Sequence, residues 1–380
     1  NAGTSPPATV NVSVVGRPDP TRNANVGGVI AAQADSAQRF ARAQISNFQS
    51  RMESLHRAKE ISDSLTPPAA AAKTSERAAP TRVAQVTQGI AGGPTAQSNM
   101  RPVSTADATT PIPLLGSAVA LASSGSVSLA SLGSELGAAA SGGKADAGAL
   151  SLWMAGNANF GSRMANGTRS GSDFTTSGVS IGMDKRISNS LALGFGMGFA
   201  RDRTDVGSDG SNSRAKGYSA IGYGSYQPGG NLFVDALIGA GALDFTSKRY
   251  VTPLDAYAQA DRKGRQVFGS LAAGLETRDN GVLLSPYGRI DYTSDRLKET
   301  SETGAGSYAL TYFSQTTPSL QAAVGFRAES IHLTDFGAAA PRIRAEYRRE
   351  FQGSRDASVA YADLAGSSRY GISAASVARN

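Results

Sequence analysis

The chain has 380 residues, a formal charge of +7, no cysteine and 44 glycines, and 18% of its residues are charged. The missing cysteine removes a disulfide framework and any thiolate metal site. A charged fraction below the roughly 25% of soluble domains, with glycine above their roughly 7%, favours tight turns and close packing of small residues over a charged helical surface.

No basic cluster carries interleaved aromatic residues, and the cations are scattered among acids, which speaks against nucleic acid as a partner. No run approaches the ~18 consecutive apolar residues of a membrane helix, which excludes a helical membrane protein but not a membrane β-barrel. The start, "NAGTSPPATV", shows no basic segment followed by an apolar one, so no signal peptide is visible: either the protein is not exported or this is a piece of a longer precursor.

In residues 1–17 the stretch "ATVNVSVVG" alternates Val10, Val12 and Val14 with polar neighbours and stops at "RPDP", as the last strand of a preceding region does. Residues 18–65 turn helical. Ile30, Ala34, Ala37, Ala41, Ile45, Phe48, Met52 and Leu55 recur at spacings of three and four, one apolar stripe between Asn25 and His56. Such a stripe suits a coiled coil or surface helix, or a helix enclosed by something else. Residues 66–149 have the Ala, Pro, Ser and Thr content of a linker, with a second, weaker helical pattern over Val127–Ala140.

From residue 150 to 380 the chain reads as β throughout. Alternation predicts strands over Leu152–Gly161, Thr175–Arg186, Leu191–Arg203, Gly217–Tyr226, Leu232–Phe245, Gln266–Glu276, Leu283–Tyr292, Leu320–Ala328 and Arg342–Phe351, with weaker ones at Ala357–Asp363 and Tyr370–Ala374. Strands that follow one another without helices pair antiparallel, as a sandwich or a barrel. The connections separate the two. Short links ("ISNS", "QPGG", "TRDNG") alternate with long ones ("TDVGSDGSNSRAK", "TSKRYVTPLDAYAQADRKGR"), the asymmetry of an up-and-down outer-membrane barrel with short periplasmic turns and longer outer loops.

The strand faces agree with that architecture. Leu191, Leu193, Phe195, Met197 and Phe199 oppose a face of Ala192, Gly194, Gly196, Gly198 and Ala200, which cannot fill a core without a bulky neighbour such as a helix in the lumen. In "PRIRAEYRREF" the charges Arg342, Arg344, Glu346, Arg348 and Glu350 share one face, while Ile343, Ala345 and Tyr347 share the other with Arg349, which snorkels at the rim beside Phe351. Parity extends the candidate lumen face to Asp184, Asp235, Glu276, Arg289, Asp291 and Arg327. Arg39, Arg42, Arg51 and Glu53 are the matching candidates on the helix. Tyr218, Tyr226, Tyr287, Tyr292 and Tyr347, near strand ends, suit interface girdles or internal packing.

Signs of other chemistry are weak. The two histidines, His56 on the helix and His332 in a predicted loop, lack a nucleophile elbow, so no catalytic residue is assigned. Asp205 and Asp209 lack EF-hand spacing, and "GFGMG" lacks the lysine and following helix of a phosphate loop, so no metal and no cofactor are expected.

The segments "LWMAGNANFGS", "TTSGVSIGMDKRISNSLALGFGMGFARDRTDVG", "GYSAIGYGSYQPGGNLFVDALIGAGALDFTSKR", "LSPYGRIDYTSDRLKETSETG" and "RIRAEYRREF" resemble, in order and spacing, the C-terminal translocator of bacterial autotransporters, the type V secretion proteins. The resemblance covers residues 150–380. It implies an all-β, antiparallel up-and-down barrel of twelve strands in the outer membrane, with a helix in its lumen and a passenger displayed at the cell surface. The partners it implies are outer-membrane lipid and lipopolysaccharide, the barrel-assembly machinery and the protein's own passenger. The barrel is expected to be monomeric, non-enzymatic and free of nucleic acid.

Under the same resemblance, residues 1–17 end an immunoglobulin-like passenger and residues 18–65 hold the lumen helix. Ile30–Leu55 or Val127–Ala140 fits that place, the first having the amphipathic pattern. The end "SVARN" lacks the family's terminal aromatic residue and the strand count falls short of closure, so truncation at both termini is expected. With no Asn-Asn pair, self-cleavage in the lumen is not expected. The alternatives are a passive porin- or adhesin-type barrel and a soluble β-rich binding domain.

Overall fold

The structure, a computed structural model, describes residues 16–65, 124–129, 150–279, 281–330, 332–334, 337–339, 342–352, 355–366 and 368–374. The valine strand of residues 8–15, most of the linker and the end "SVARN" lie outside these residues. The chain divides into a unit of residues 1–63 and 122–380, which holds the helix and the sheets, and a unit of residues 64–121.

A 3-10 turn, Pro20–Arg22, leads into helix α1, Ala24–Leu65. Asn23 begins the helix: its side-chain oxygen accepts from the backbone N–H of Asn25 at 2.9 Å and satisfies one of the free amide groups of the first turn. No described helix is long and apolar enough to cross a membrane.

The strands are β1 (Ser124–Leu129), β2 (Leu150–Arg163), β3 (Ser172–Arg186), β4 (Leu191–Val206), β5 (Ser211–Gly229), β6 (Leu232–Val251), β7 (Ala256–Leu275), β8 (Thr277–Asp279), β9 (Val282–Leu297), β10 (Thr300–Ser301), β11 (Leu310–Tyr312), β12 (Gln315–Ser330), β13 (His332–Thr334), β14 (Gly337–Ala339), β15 (Arg342–Gln352), β16 (Arg355–Tyr361) and β17 (Tyr370–Ala374). The main sheet runs β1-β2-β3-β4-β5-β6-β7-β9-β12-β15, antiparallel at every step, with β8 beside β9. A smaller sheet joins β10-β11-β16-β17, and β13 pairs with β14. His332, expected in a loop, opens β13. The helical pattern at Val127–Ala140 fails where it is described, because Val127 to Leu129 lie in β1 and pair with Gly156 to Ala158 of β2. Small residues suit a strand laid on a sheet edge as well as a helix.

Several strands start or end well beyond their predicted limits. β5 starts at Ser211, not Gly217; β7 starts at Ala256, not Gln266; and β6 and β7 reach 20 residues each. A tilted strand crosses a bilayer in ~9–11 residues, so about half of each hairpin stands beyond any apolar band. There neither face is lipid, hydrophobic alternation stops, and a ladder held by backbone hydrogen bonds leaves no periodic signal. Two of the predicted long loops are therefore mostly strand. The β4–β5 turn is Gly207–Gly210, whose two glycines take φ of 63° and 83°, and β6–β7 turns through Thr252–Asp255.

The outer face of the lower half is apolar. Met154, Ile181, Met197, Ile238, Leu271, Ile290, Val324 and Ile343, from β2, β3, β4, β6, β7, β9, β12 and β15, are each more than half exposed. The inner face is small and polar, and α1 fills the space it leaves. A Cβ on Gly196 would lie 2.6 Å from the Ile181 carbonyl oxygen and 2.7 Å from the Phe48 ring, so the helix fits only because that side chain is missing. Ala41, Ile45, Phe48, Met52 and Leu55 pack with Trp153, Ala192, Ile221, Tyr223, Leu237 and Phe268, and each large apolar side chain removed from water stabilises by about 1.5–3 kcal/mol. Of the tyrosines, Tyr218, Tyr226, Tyr292 and Tyr347 are exposed on the outer face. Tyr287 points inward to Glu346.

Candidate functional site

The apolar stripe accounts for only one side of α1. Much of the remaining surface is buried too: Gln33, Ser36, Gln38, Gln44, Asn47, Gln49, Arg51 and His56 are all at most 8% exposed, and between Asn25 and His56 only Arg42 and Ser46 are exposed. A buried polar side chain without a partner costs on the order of 1–3 kcal/mol, so a helix of this kind is stable only where the surrounding wall supplies partners. Each of the nine long strands from β2 to β15 contributes at least one contact to it.

At the first end of α1, Asn25 is bonded to Asp209 in the β4–β5 turn and accepts from Ser170 at 2.7 Å in the β2–β3 connection. This end therefore lies at the rim of the longer connections. Ten residues further on, nearly three turns, Asp35 meets Arg163 of β2. Arg39 then reaches β4, donating to Asp202 at 2.7 Å and to Thr204 at 3.1 Å, with its guanidinium 4.0 Å above the Phe174 ring. Arg42 has a partner as well.

In the middle, Asn47 donates to Ser180 at 2.8 Å, and Ser180 donates to Gln44 at 2.7 Å. Gln49 donates to Ser270 at 3.1 Å and accepts from Arg289 at 3.1 Å. Phe48 meets Trp153 and Tyr223 edge to face at 4.8 Å and 5.2 Å.

Toward the rim of the short turns the charges concentrate. Arg51 holds Asp184 of β3 through Nε at 2.7 Å and Nη2 at 2.8 Å, and Tyr223 donates to the same carboxylate at 2.7 Å. Glu53 takes Arg327 of β12 at 2.8 Å and also Arg344 of β15. Arg327 reaches on to Glu276. His56, fully buried, puts Nδ1 2.9 Å from Glu276 and Nε2 2.9 Å from Asp235. A ring that donates to carboxylates from both nitrogens is the imidazolium form.

The wall carries its own ladder. Arg289 pairs with Asp291 and Glu346, both at 2.9 Å; Glu346 also takes Arg348 and the Tyr287 hydroxyl; and Glu350 accepts from Ser319 at 2.7 Å and Gln321 at 2.9 Å. Among the predicted lumen residues, Asp184, Asp235, Glu276, Arg289 and Arg327 are buried, whereas Arg348 is not enclosed: its side chain is 53% exposed. The reason is its place on β15, the last strand of the described sheet, where the enclosing wall ends. Of Arg342 the structure gives the register, opposite Glu329. Arg349 lies on the exposed face with its guanidinium 5.6 Å from the Phe351 ring.

Sequence reading passed over Asp202, Tyr223 and the bonding role of His56. Asp202 had a usable signal, since it continues the inward parity of Ala192 to Ala200. His56 had none, because its two carboxylates come from strands 179 and 220 residues away.

A second cluster lies at the rim of the longer connections. Val26 and Ile30 of α1 pack with Leu310 and Tyr312 of β11 and with Ala357, Val359 and Tyr361 of β16. Arg249 holds Glu302 at 2.8 Å, and Tyr312 donates to Glu302 at 2.7 Å. The segment entering the helix is tied here too: the Tyr361 hydroxyl donates to the Pro18 carbonyl at 2.6 Å, and Arg17 donates to Asp363 at 2.6 Å.

No described group of three or more histidine and acidic side chains is placed to hold a metal ion. In comparisons with known proteins, the family model described as Autotransporter beta-domain matches residues 152–380. No curated protein matches. Solved structures that match include the translocator domain of autotransporter NalP from Neisseria meningitidis, at 16% identity and a TM-score of 0.47, covering 59% of this chain and 80% of that chain. The beta domain of the Bordetella autotransporter BrkA matches at 18% identity and a TM-score of 0.42, covering 57% of this chain and 87% of that one.

Proposed function

We propose a function on one premise: the chain belongs to the autotransporter beta-domain family. Domains of this family are outer-membrane β-barrels that translocate a passenger and display it at the cell surface, so the apolar outer face described above meets lipid. On that premise, α1 is the last stretch of translocated chain, retained in the pore as its plug, and residues 1–17 are the end of the passenger. The observation that carries this reading is the enclosure of a mostly polar helix by all nine long strands, with its first residues at the rim of the longer connections.

The mechanism follows from the wall. Side chains of both signs keep the lumen wet, so an unfolded polar segment passes without leaving water-like surroundings. Asp184, Asp235, Asp202, Glu276 and Arg327 then serve a second purpose, fixing Arg51, His56, Arg39 and Glu53 once α1 has entered. No nucleotide site is visible in the sequence, and passenger folding outside supplies the drive. The chain acts without catalysis, as a monomeric barrel seated in lipid and lipopolysaccharide after insertion by the assembly machinery.

A passive porin is the rival reading, and the plug separates the two. Deleting Asn25–His56 from the full chain is expected to abolish surface exposure of the upstream segment and raise single-channel conductance in planar bilayers. Unchanged exposure and conductance overturn the assignment of α1. If the full-length product fractionates as a soluble protein without heat-modifiable gel mobility, the outer-membrane reading fails.

A further inference from the structure

The outer face of β4 and β5 carries a charge arrangement that neither the fold nor the plug explains. Arg201 and Arg203 of β4 are exposed on the side opposite Asp202, and Arg214 and Lys216 of β5 are exposed beside them. The register sets Arg201 directly across from Lys216 and Arg203 directly across from Arg214. Like charges facing each other across an antiparallel pair are destabilising, and here two such rungs are stacked.

Compensation within the described residues is small. Asp205 lies 3.2 Å from Arg203, with both side chains more than half exposed; the exposed Asp173 of β3 stands across from Asp205, and Asp244 stands across from Lys216 on β6. Arg201, Arg214 and Lys216 make no ion pair with a described residue. Across β6, Lys263 of β7 lies opposite Asp244, while Arg265 of β7 lies opposite Arg296 of β9, a further like-charged rung.

The height of the block on the barrel is the second observation. Two residues nearer the short turns, the same face carries Phe199 and Tyr218, whose rings lie 5.1 Å apart, and beyond them Met197, Phe195 and Leu193, each about half exposed. The four cations therefore begin where the apolar belt ends, on the rim toward which α1 sends its first residues. On an outer-membrane barrel that level belongs to the headgroups of the outer leaflet.

We propose that Arg201, Arg203, Arg214 and Lys216 form a docking site for the phosphate groups of an outer-leaflet glycolipid, the lipid A portion of lipopolysaccharide. Guanidinium groups bind phosphate through two parallel N–H bonds and lysine binds it as a point charge. A phosphate seated between the rungs, which lie about 7 Å apart at ~3.4 Å per residue, relieves the repulsion within each. The belt residues Phe199 and Tyr218 then meet the acyl chains of the same molecule. The proposal rests on the outer-membrane reading and adds to it a defined patch on one side of the barrel.

The test uses the full chain, folded in detergent, with purified lipopolysaccharide as the probe and native mass spectrometry as the readout of lipid retained per barrel. The expected result is retention that falls several-fold in the triple variant Arg201→Gln, Arg214→Gln, Lys216→Gln and holds in Lys185→Gln, an exposed cation at the other rim. Enzymatically dephosphorylated lipopolysaccharide is expected not to be retained. Inorganic phosphate at the same phosphate concentration is expected not to displace the lipid; displacement would make any phosphate the ligand and overturn the glycolipid. Equal retention by the triple variant, or an equal loss in Lys185→Gln, also overturns the proposal. Heat-modifiable mobility, scored on every variant, separates a failed lipid site from a failed barrel.

Discussion

Arg51 and Asp184 meet inside the barrel as a two-point ion pair, with both carboxylate oxygens engaged at 2.7 Å and 2.8 Å and both side chains at most 5% exposed. The arginine belongs to the helix and the aspartate to the third strand, 133 residues further on. The pair joins α1 to β3 at a point where neither charge has water to fall back on. Buried pairs of this kind add little over an apolar substitute, but breaking one leaves a stranded charge.

Arg51→Ala is accordingly expected to destabilise the plugged state by about 3–5 kcal/mol, the range for orphaning a buried charge. Arg51→Ala combined with Asp184→Ala should recover most of that loss, because no charge is then stranded. Urea midpoints of heat-modifiable mobility, run as a double-mutant cycle, give both numbers. Additive losses would show that the two side chains act independently.

Steric closeness gives a second expectation. Gly196 has the Phe48 ring on one side and the Ile181 carbonyl on the other, so Gly196→Val displaces the helix without touching any charge. Conductance should rise, since a helix that cannot seat leaves a wet path beside it. Phe48→Ala in the same chain frees the space and is expected to bring conductance part of the way back. A closed, stable Gly196→Val barrel would mean that α1 seats without close contact at this glycine.

His56 supplies a third. Asp235 and Glu276 both face its ring, but Glu276 has Arg327 besides, while Asp235 relies on His56 for its charge partner. His56→Leu therefore strands Asp235, and His56→Gln keeps one donor for it. Loss of plug stability is expected in the order His56→Leu greater than His56→Gln, with Asp235→Asn restoring much of what His56→Leu removes. Protease access to the backbone after residue 56, measured on folded barrels, reports the loosening directly.

Much of this arrangement was legible in the residues, and the gaps have physical causes. Alternation marked nine strands because lipid on one side and a polar interior on the other impose a period of two. It fell silent above the belt, where β6 runs six residues past Phe245 and β7 starts ten before Gln266, with water outside. Spacing found the apolar stripe of α1. It gave no hint that Gln44, Asn47 and Gln49 would be equally buried, because a polar residue against a polar wall looks in sequence like one facing solvent. Parity says which face a residue is on and not whether the face is enclosed: Asp184 and Arg327 are buried, and the Arg348 side chain is 53% exposed. Partner choice, such as Arg39 with Asp202, lay beyond any local pattern.

The contact between Arg17 and Asp363 yields the last expectation, at the outer rim. The guanidinium hydrogen bond holds the Asp363 carboxyl below the usual carboxylate range. A depressed folded-state value means the contact contributes above the ordinary carboxylate pKa and is lost as pH falls through the lowered one. The Arg17 side chain is 27% exposed and that of Asp363 50%, so water screens the pair and the effect is a local release and not an unfolding. A spin label placed at Arg22 should report slow motion at neutral pH and faster motion in acid, with the core ladder at Arg51 unaffected. Asp363→Asn should show the fast motion at every pH. If the label's motion in the native chain does not change with acid, Tyr361 and its bond to Pro18 hold the entering segment alone. Motion that quickens in native and Asp363→Asn chains alike would instead assign the release to another group at the rim.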